Sequence, residues 1–168
     1  MSWINDRQEA KFSRLRNDPH YRPIIDAVRQ VQKNGVEPST VTREAVRATR
    51  DQYVAAGRRI DQEDIRRDAF LAATAACIEA PYELSGLPEG TDKTKHYFWS
   101  GAFAAKIDQA LDALRIVPQG ARQSIAIGSS IVVGWLKEVA DVFTTGYSRS
   151  DLLADRLGAG SPFKVPVS

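Results

Sequence analysis

The chain is short of several things, and each shortage narrows what it can be. It has one cysteine, Cys77, in 168 residues, which excludes an intrachain disulfide and a cysteine-based zinc cluster. Cys77 stands in the Ala-rich run AATAACIEA and reads as a small buried hydrophobe. Strand signals are nearly absent. No β-branched alternation persists, and no Asn-Gly pair sits between two apolar runs as a hairpin turn would require. Long apolar runs are missing too. The most apolar stretch, Ile125 to Leu136, is about a dozen residues where a membrane span needs ~20, so a buried helix is expected there. The opening MSWINDRQEAKF has no apolar h-region, so no signal peptide is expected; that points to a cytoplasmic protein and leaves envelope association by another route open.

Several chemical signatures are absent as well. GLPEGTDKTK lacks the G-x-x-x-x-G-K-[ST] phosphate loop, neither histidine belongs to an H-E-x-x-H pair, and no serine sits in a G-x-S-x-G elbow. Arg43, Arg47, Arg50, Arg58 and Arg59 come with no base-reading motif, so nucleic acid is not an expected partner.

What is present is the composition of a folded globular chain, 43% hydrophobic and 26% charged, long enough to bury a core without staples. The charge is uneven. Residues 1–60 hold 12 lysines and arginines against 7 acids, and the remainder holds 11 against 14. A basic N-terminal half suits an acidic protein partner or a membrane surface, with Arg43, Arg47 and Arg50 on one helix face by their i, i+4, i+7 spacing.

Gly and Pro divide the chain into helical blocks, so the fold expected is all-α, a bundle of about six or seven helices with no sheet. The blocks are residues 5–17, 21–33 with the stripe Ile24, Ile25, Val28 and Val31, 38–56 along the line Val41, Ala45, Ala48 and Val54, and 61–80 capped by Asp61. From Ala69 to Ile78 the last of these is apolar all round, the mark of a central helix. YELSGLPEGT, residues 82–91, then separates a basic helical region, 1–81, from a region of three helices, 91–160, and a tail, 161–168, the whole expected to pack as one unit. The three helices span about Asp92 to Arg115 with Thr91 or Asp92 as N-cap, about Ala121 to Thr144 with Gly146 as its break, and Ser148 to Gly158. The tail GAGSPFKVPVS is expected to be extended.

Ionisable residues cluster in that second half. At about 100° per residue, His96 shares a face with Phe103, Ile107, Leu111 and Leu114, with Trp99 at its edge; this is the expected core face, and a buried imidazole there needs a partner. In the next helix Ile131, Val132, Trp135, Leu136, Val139, Val142 and Phe143 form an apolar face, opposite Ser130, Gly134, Lys137, Glu138 and Asp141. An interior glycine costs up to ~1 kcal/mol, so Gly134 implies that another backbone or a ligand approaches there. Asp151 and Asp155 lie at i and i+4, opposite Leu152, Leu153 and Leu157. His96, Glu138, Asp141, Asp151 and Asp155 together are the oxygen-and-imidazole set of one divalent ion, Mg²⁺, Mn²⁺, Ca²⁺ or Zn²⁺. The bland alternatives are a satisfied structural histidine and solvated acids.

Three segments carry a resemblance. Asp92-Lys93-Thr94-Lys95-His96-Tyr97-Phe98 resembles the D-K-x-x-H-F start of the YfiM-type small bacterial lipoproteins, a family with no assigned reaction. Gly134-Trp135-Leu136-Lys137-Glu138-Val139-Ala140-Asp141 is similar to its G-x-x-K-E-x-x-D segment, and Gly146 to Gly158 to its G-x-S-W-x-D-L-x-x-D-x-x-G close. Order and spacing match over residues 91–160; Ser150 departs from the aromatic-then-basic pattern before the aspartate, and residues 1–80 have no counterpart. The resemblance implies a helical arrangement with a polar site.

Two functions follow as expectations. One is a non-enzymatic interaction or envelope-associated module, its His/Glu/Asp network fixing helix register. The other is a metal-assisted hydrolase acting on a phosphoester or envelope component, with Glu138 as base, Lys137 or Lys93 offsetting negative charge, and His96 and the acids on the ion.

Overall fold

The protein is described by a computed structural model that covers residues 6–115, 117–141 and 149–167, leaving aside the side chains of 6–9, 11 and 135–141. Among the described residues seven α-helices follow in order: α1 Asp6–Asn17, α2 Arg22–Val31, α3 Pro38–Ala55, α4 Gln62–Glu79, α5 Thr91–Leu114, α6 Gln119–Asp141 and α7 Arg149–Gly160. A 3-10 turn, Ser161–Phe163, follows α7. Among the described residues no strand forms, and the one bridge is the parallel pair Val36–Leu84.

α4 is the axis of the N-terminal half. The Asp61 carboxylate accepts the amides of Glu63 and Asp64 and so starts the helix. Ala69, Phe70 and every residue from Ala72 to Cys77 are then buried. Small side chains let α1, α2 and α3 lie close on one side and α5 on the other. α2 and α3 each begin with a proline in the first turn, where its missing N–H costs nothing. Along α3 the inward side chains are Val41, Ala45, Val46, Thr49 and Tyr53, not Val54, which is 63% exposed. Thirteen residues on from Val41, Val54 has turned about 140° away from it.

The segment 82–91 is pinned to the α2–α3 turn. Gly35 N–H donates to Glu83 O at 2.8 Å, Ser85 N–H to Val36 O at 2.9 Å, and Glu83 N–H to Asn34 Oδ1 at 3.1 Å. Gly90, at φ 116°, turns the chain into α5 in a conformation that suits glycine. It, and neither Thr91 nor Asp92, is the N-cap, and the Asp92 side chain goes to Lys93 instead. One cluster of buried side chains runs from Phe12 through Phe70, Phe98 and Ala102 to Val167.

Within α5 the buried face is the one with small residues. Ser100, Gly101, Ala102, Ala104 and Ala105 are buried together with Tyr97 and Phe98. Phe103, Ile107 and Leu111 are only partly covered, and Leu114 is 59% exposed. The expected core face is therefore displaced. Close helix contacts select small residues, because a Cβ on Gly101 would stand 2.3 Å from the Phe70 ring and one on Gly158 would stand 2.0 Å from the Tyr97 carbonyl oxygen. Gly158 accordingly lies inside α7 and does not end it. The tail is not extended either: the helix continues to Gly160 and then tightens into the 3-10 turn, with Ser161 and Pro162 buried.

Candidate functional site

α5, α6 and α7 meet along a polar seam. From α5 come Asp92, Lys93, His96 and Ser100, each one turn or less from the next. From α7 come Asp151 and Asp155, one turn apart, and from α6 Ser130 and Gly134. Asp155 is 1% exposed. Its Oδ1 accepts the Ser100 hydroxyl at 2.6 Å and faces His96 Nδ1 at 3.1 Å. A carboxylate only accepts, so that second bond requires the proton on Nδ1. The other ring nitrogen, Nε2, lies 3.7 Å from Asp151 Oδ2. Lys93 Nζ reaches Asp151 Oδ1 and also Asp92 Oδ2 at 2.6 Å. Ser130 Oγ donates to the Ser100 carbonyl at 3.0 Å and so ties α6 to α5.

Electrostatics follow the geometry. Burial opposes the Lys93 charge, but Asp151 and Asp92 outweigh it and hold its pKa above the usual lysine value. Asp92 is likewise partly desolvated, yet the Lys93 ammonium keeps its carboxyl below the usual range. Lys93, His96 and Asp151 keep 11%, 14% and 13% of their side-chain surface in solvent. The seam is thus reachable at that end and sealed at Asp155. One atom breaks the pairing: among the described residues Asp155 Oδ2 is buried without a hydrogen-bond partner, and it is the atom that a Cβ on Gly134 would meet at 2.6 Å. What approaches Gly134 is a side chain, this carboxylate, in place of the expected backbone or ligand.

Of the residues singled out from the sequence, His96, Asp151 and Asp155 are brought together, with Lys93 beside them. Lys137, Glu138 and Asp141 are on α6, but their side chains lie outside the described residues, as do Trp135 to Val139, Val142, Phe143, Gly146 and Ser148. Asp155 is not a solvated acid. α7 turns both aspartates inward and leaves Leu153 and Leu157 exposed. Among the described residues no group of three or more His, Cys, Asp and Glu side chains is arranged to hold a metal.

Two further polar clusters were missed by the sequence reading. Asp68, 1% exposed, accepts Tyr21 OH at 2.8 Å and Arg67 Nε at 2.8 Å on Oδ1, and Tyr53 OH at 2.8 Å on Oδ2, where His20 Nε2 also lies at 2.9 Å. Burial alone would raise its pKa, but the Tyr53 bond, the Arg67 charge and the Tyr21 bond carry it below the usual carboxylate value. The clue is its place directly before the all-apolar run of α4, where a carboxylate requires partners. The second cluster gathers Arg122 of α6 against Asp108, Asp112 and Glu63. There desolvation wins over Arg122 and Arg66 and raises the Asp108 pKa. Its clue is the i, i+4 pair Asp108 and Asp112 on one side of α5.

Comparison with known proteins assigns no family. No family model, no curated protein and no solved structure matches this chain.

Proposed function

We propose that this chain is a non-enzymatic helical interaction module whose polar seam locks helix register while its basic N-terminal helices dock an acidic partner. The carrying observation is that the groups able to do chemistry are engaged with one another: Lys93 with Asp92 and Asp151, and His96 between Asp151 and Asp155. Such a network specifies which faces of α5 and α7 meet, because a slip leaves a charge buried and unpaired, and the bond from Ser130 to the Ser100 carbonyl adds α6. Docking falls to the arginines. Arg43 and Arg50 are exposed on α3, with Arg47 between them held by Glu44 and Asp51. A separate polar groove of about 470 Å³ in the N-terminal half is lined by Arg16, Arg22 and Arg29, with Asp26 and Glu79. Titration with a fluorescent oligoglutamate peptide tests the docking. Saturable binding that weakens in Arg43→Glu/Arg50→Glu supports it; no binding by wild type removes the acidic partner.

The metal-assisted hydrolase is the second reading, favoured by one observation: the buried Oδ2 of Asp155, without a hydrogen-bond partner among the described residues. In it His96, Glu138, Asp141, Asp151 and Asp155 hold the ion, Glu138 is the base, and Lys137 or Lys93 offsets charge developing on a phosphoester or envelope substrate. Calorimetric titration with Mg²⁺, Mn²⁺, Ca²⁺ and Zn²⁺ separates the two. Binding that disappears in Asp155→Ala and Glu138→Ala replaces the register lock with a metal centre; no heat from any of the four ions rejects the hydrolase.

A further inference from the structure

α6 and α7 each bury polar or small residues and leave large aliphatic side chains exposed. α7 sends Asp151 and Asp155 into the seam and presents Leu153 and Leu157 to solvent, 45% and 38% exposed. α6 buries Ser130 and Gly134 and presents Ile125 and Val132, 45% and 53% exposed. Four exposed large aliphatic side chains on two packed helices are more than scattered surface hydrophobes require.

Charge sorts in the same way. Residues 117–134 contain no acid, Glu138 and Asp141 at the far end of α6 have side chains outside the described residues, and residues 149–167 contain two acids, both turned inward. The exposed charges of 149–167 are Arg149, Arg156 and Lys164, which have no ion-pair partner among the described residues. On α7 the two arginines lie together on one side of the two leucines: relative to Asp155, Leu153 and Leu157 lie about 160° round the helix in opposite senses, and Arg149 and Arg156 both about 100–120° round in the sense of Leu153. A face that combines aliphatic side chains with charge of one sign repels a second copy of itself. It matches a surface that is apolar beneath and anionic on top, with leucines entering the headgroup layer and guanidiniums meeting lipid phosphates.

We infer that the outward faces of α7 and α6 seat this protein on an anionic bilayer surface through Leu153, Leu157, Arg149 and Arg156. No helix among the described residues is long and apolar enough to cross a bilayer, and the contact inferred is with the surface. It uses none of the arginines of α1 to α3, so it stands apart from the acidic-partner reading.

Co-sedimentation of the full chain with vesicles tests it. Wild type partitions onto phosphatidylcholine–phosphatidylglycerol vesicles and much less onto phosphatidylcholine alone. Leu153→Ser/Leu157→Ser and Arg149→Gln/Arg156→Gln each lower the partition coefficient by roughly tenfold or more, with unchanged helical circular dichroism because all four side chains face solvent. Arg43→Glu/Arg50→Glu leaves it unchanged. The inference is overturned by equal partition onto both vesicle types, by none onto either, or by binding that both C-terminal double variants retain. It is overturned too if binding is lost only in the α3 variant, or if the protein self-associates in solution and Leu153→Ser/Leu157→Ser abolishes that association, which would assign the face to a second copy. Should the leucine variant misfold, the arginine variant decides alone.

Discussion

Gly134 of α6 and Asp155 of α7 meet so closely that a methyl group on Gly134 would stand 2.6 Å from Asp155 Oδ2 and 3.2 Å from its Cγ. The carboxylate cannot retreat without leaving the Ser100 hydroxyl and His96. Gly134→Ala is therefore expected to lose about 1–3 kcal/mol of stability despite alanine's better helix propensity. Gly128, six residues earlier on the same helix, has nothing within 4 Å of its would-be Cβ, so Gly128→Ala should gain up to ~1 kcal/mol. Urea denaturation of both variants checks the pair; an equal gain in the two would mean that α6 and α7 do not approach as described.

Asp68 ties the α1–α2 connection, α3 and α4 together through Tyr21, His20, Tyr53 and Arg67. Asp68→Asn keeps the shape and removes the charge that these donors address, and should cost about 2–4 kcal/mol at neutral pH. Because the folded pKa of Asp68 is depressed, its stabilisation is full above the unfolded aspartate value of about 3.9 and is lost as pH falls through the lower folded value. Wild type and variant should thus converge in stability in strong acid. A constant gap down to the acid transition would show that the charge is not what the site uses.

Lys93 behaves with the opposite sign. Its pKa is held up by Asp151 and Asp92, so its contribution is full below the unfolded lysine value of about 10.4 and is lost as pH rises through the folded value. Lys93→Met should lower stability by about 1–3 kcal/mol at neutral pH, since Asp151 then faces Asp92 and the His96–Asp155 pair without the ammonium. The thermal midpoints of wild type and variant should approach each other only in strongly alkaline buffer. Closer midpoints at neutral pH than at pH 10 would contradict the assignment.

Removal of residues 1–80 uncovers the side of α5 on which α4 lies, including the Phe98 ring that faces Phe70 at 6.0 Å. The remaining chain is expected to aggregate or to lose cooperative melting. A monomeric fragment with a sharp transition by calorimetry would show that the C-terminal helices need no cover from α4.

The helices themselves were legible from residue spacing. Asp61 as a cap, Pro38 at a helix start, the Ile24–Ile25–Val28 stripe and the all-apolar run of α4 each state a local preference, and local hydrogen bonding and periodicity act within a few residues. Gly134 announced that something approaches it, and the i, i+4 spacing of Asp151 and Asp155 announced one shared face. His96, Asp151 and Asp155 were legible as a set, though not as a converged one.

Which face of each helix is buried was decided only in three dimensions. Periodicity marks two opposite faces on α5, α6 and α7 and does not say which one meets a neighbour. Three helices crossing at close range select the face with Ser100, Gly101, Ser130, Gly134 and Gly158, because only small side chains let backbones approach. That choice turns the aspartates of α7 inward to Lys93 and His96 and leaves leucines, isoleucine, valine and arginines outside. A C-terminal half that counts as acidic along the chain thereby presents, among the described residues of α6 and α7, an apolar and basic exterior, since the charge that a partner meets is the charge that packing leaves uncovered.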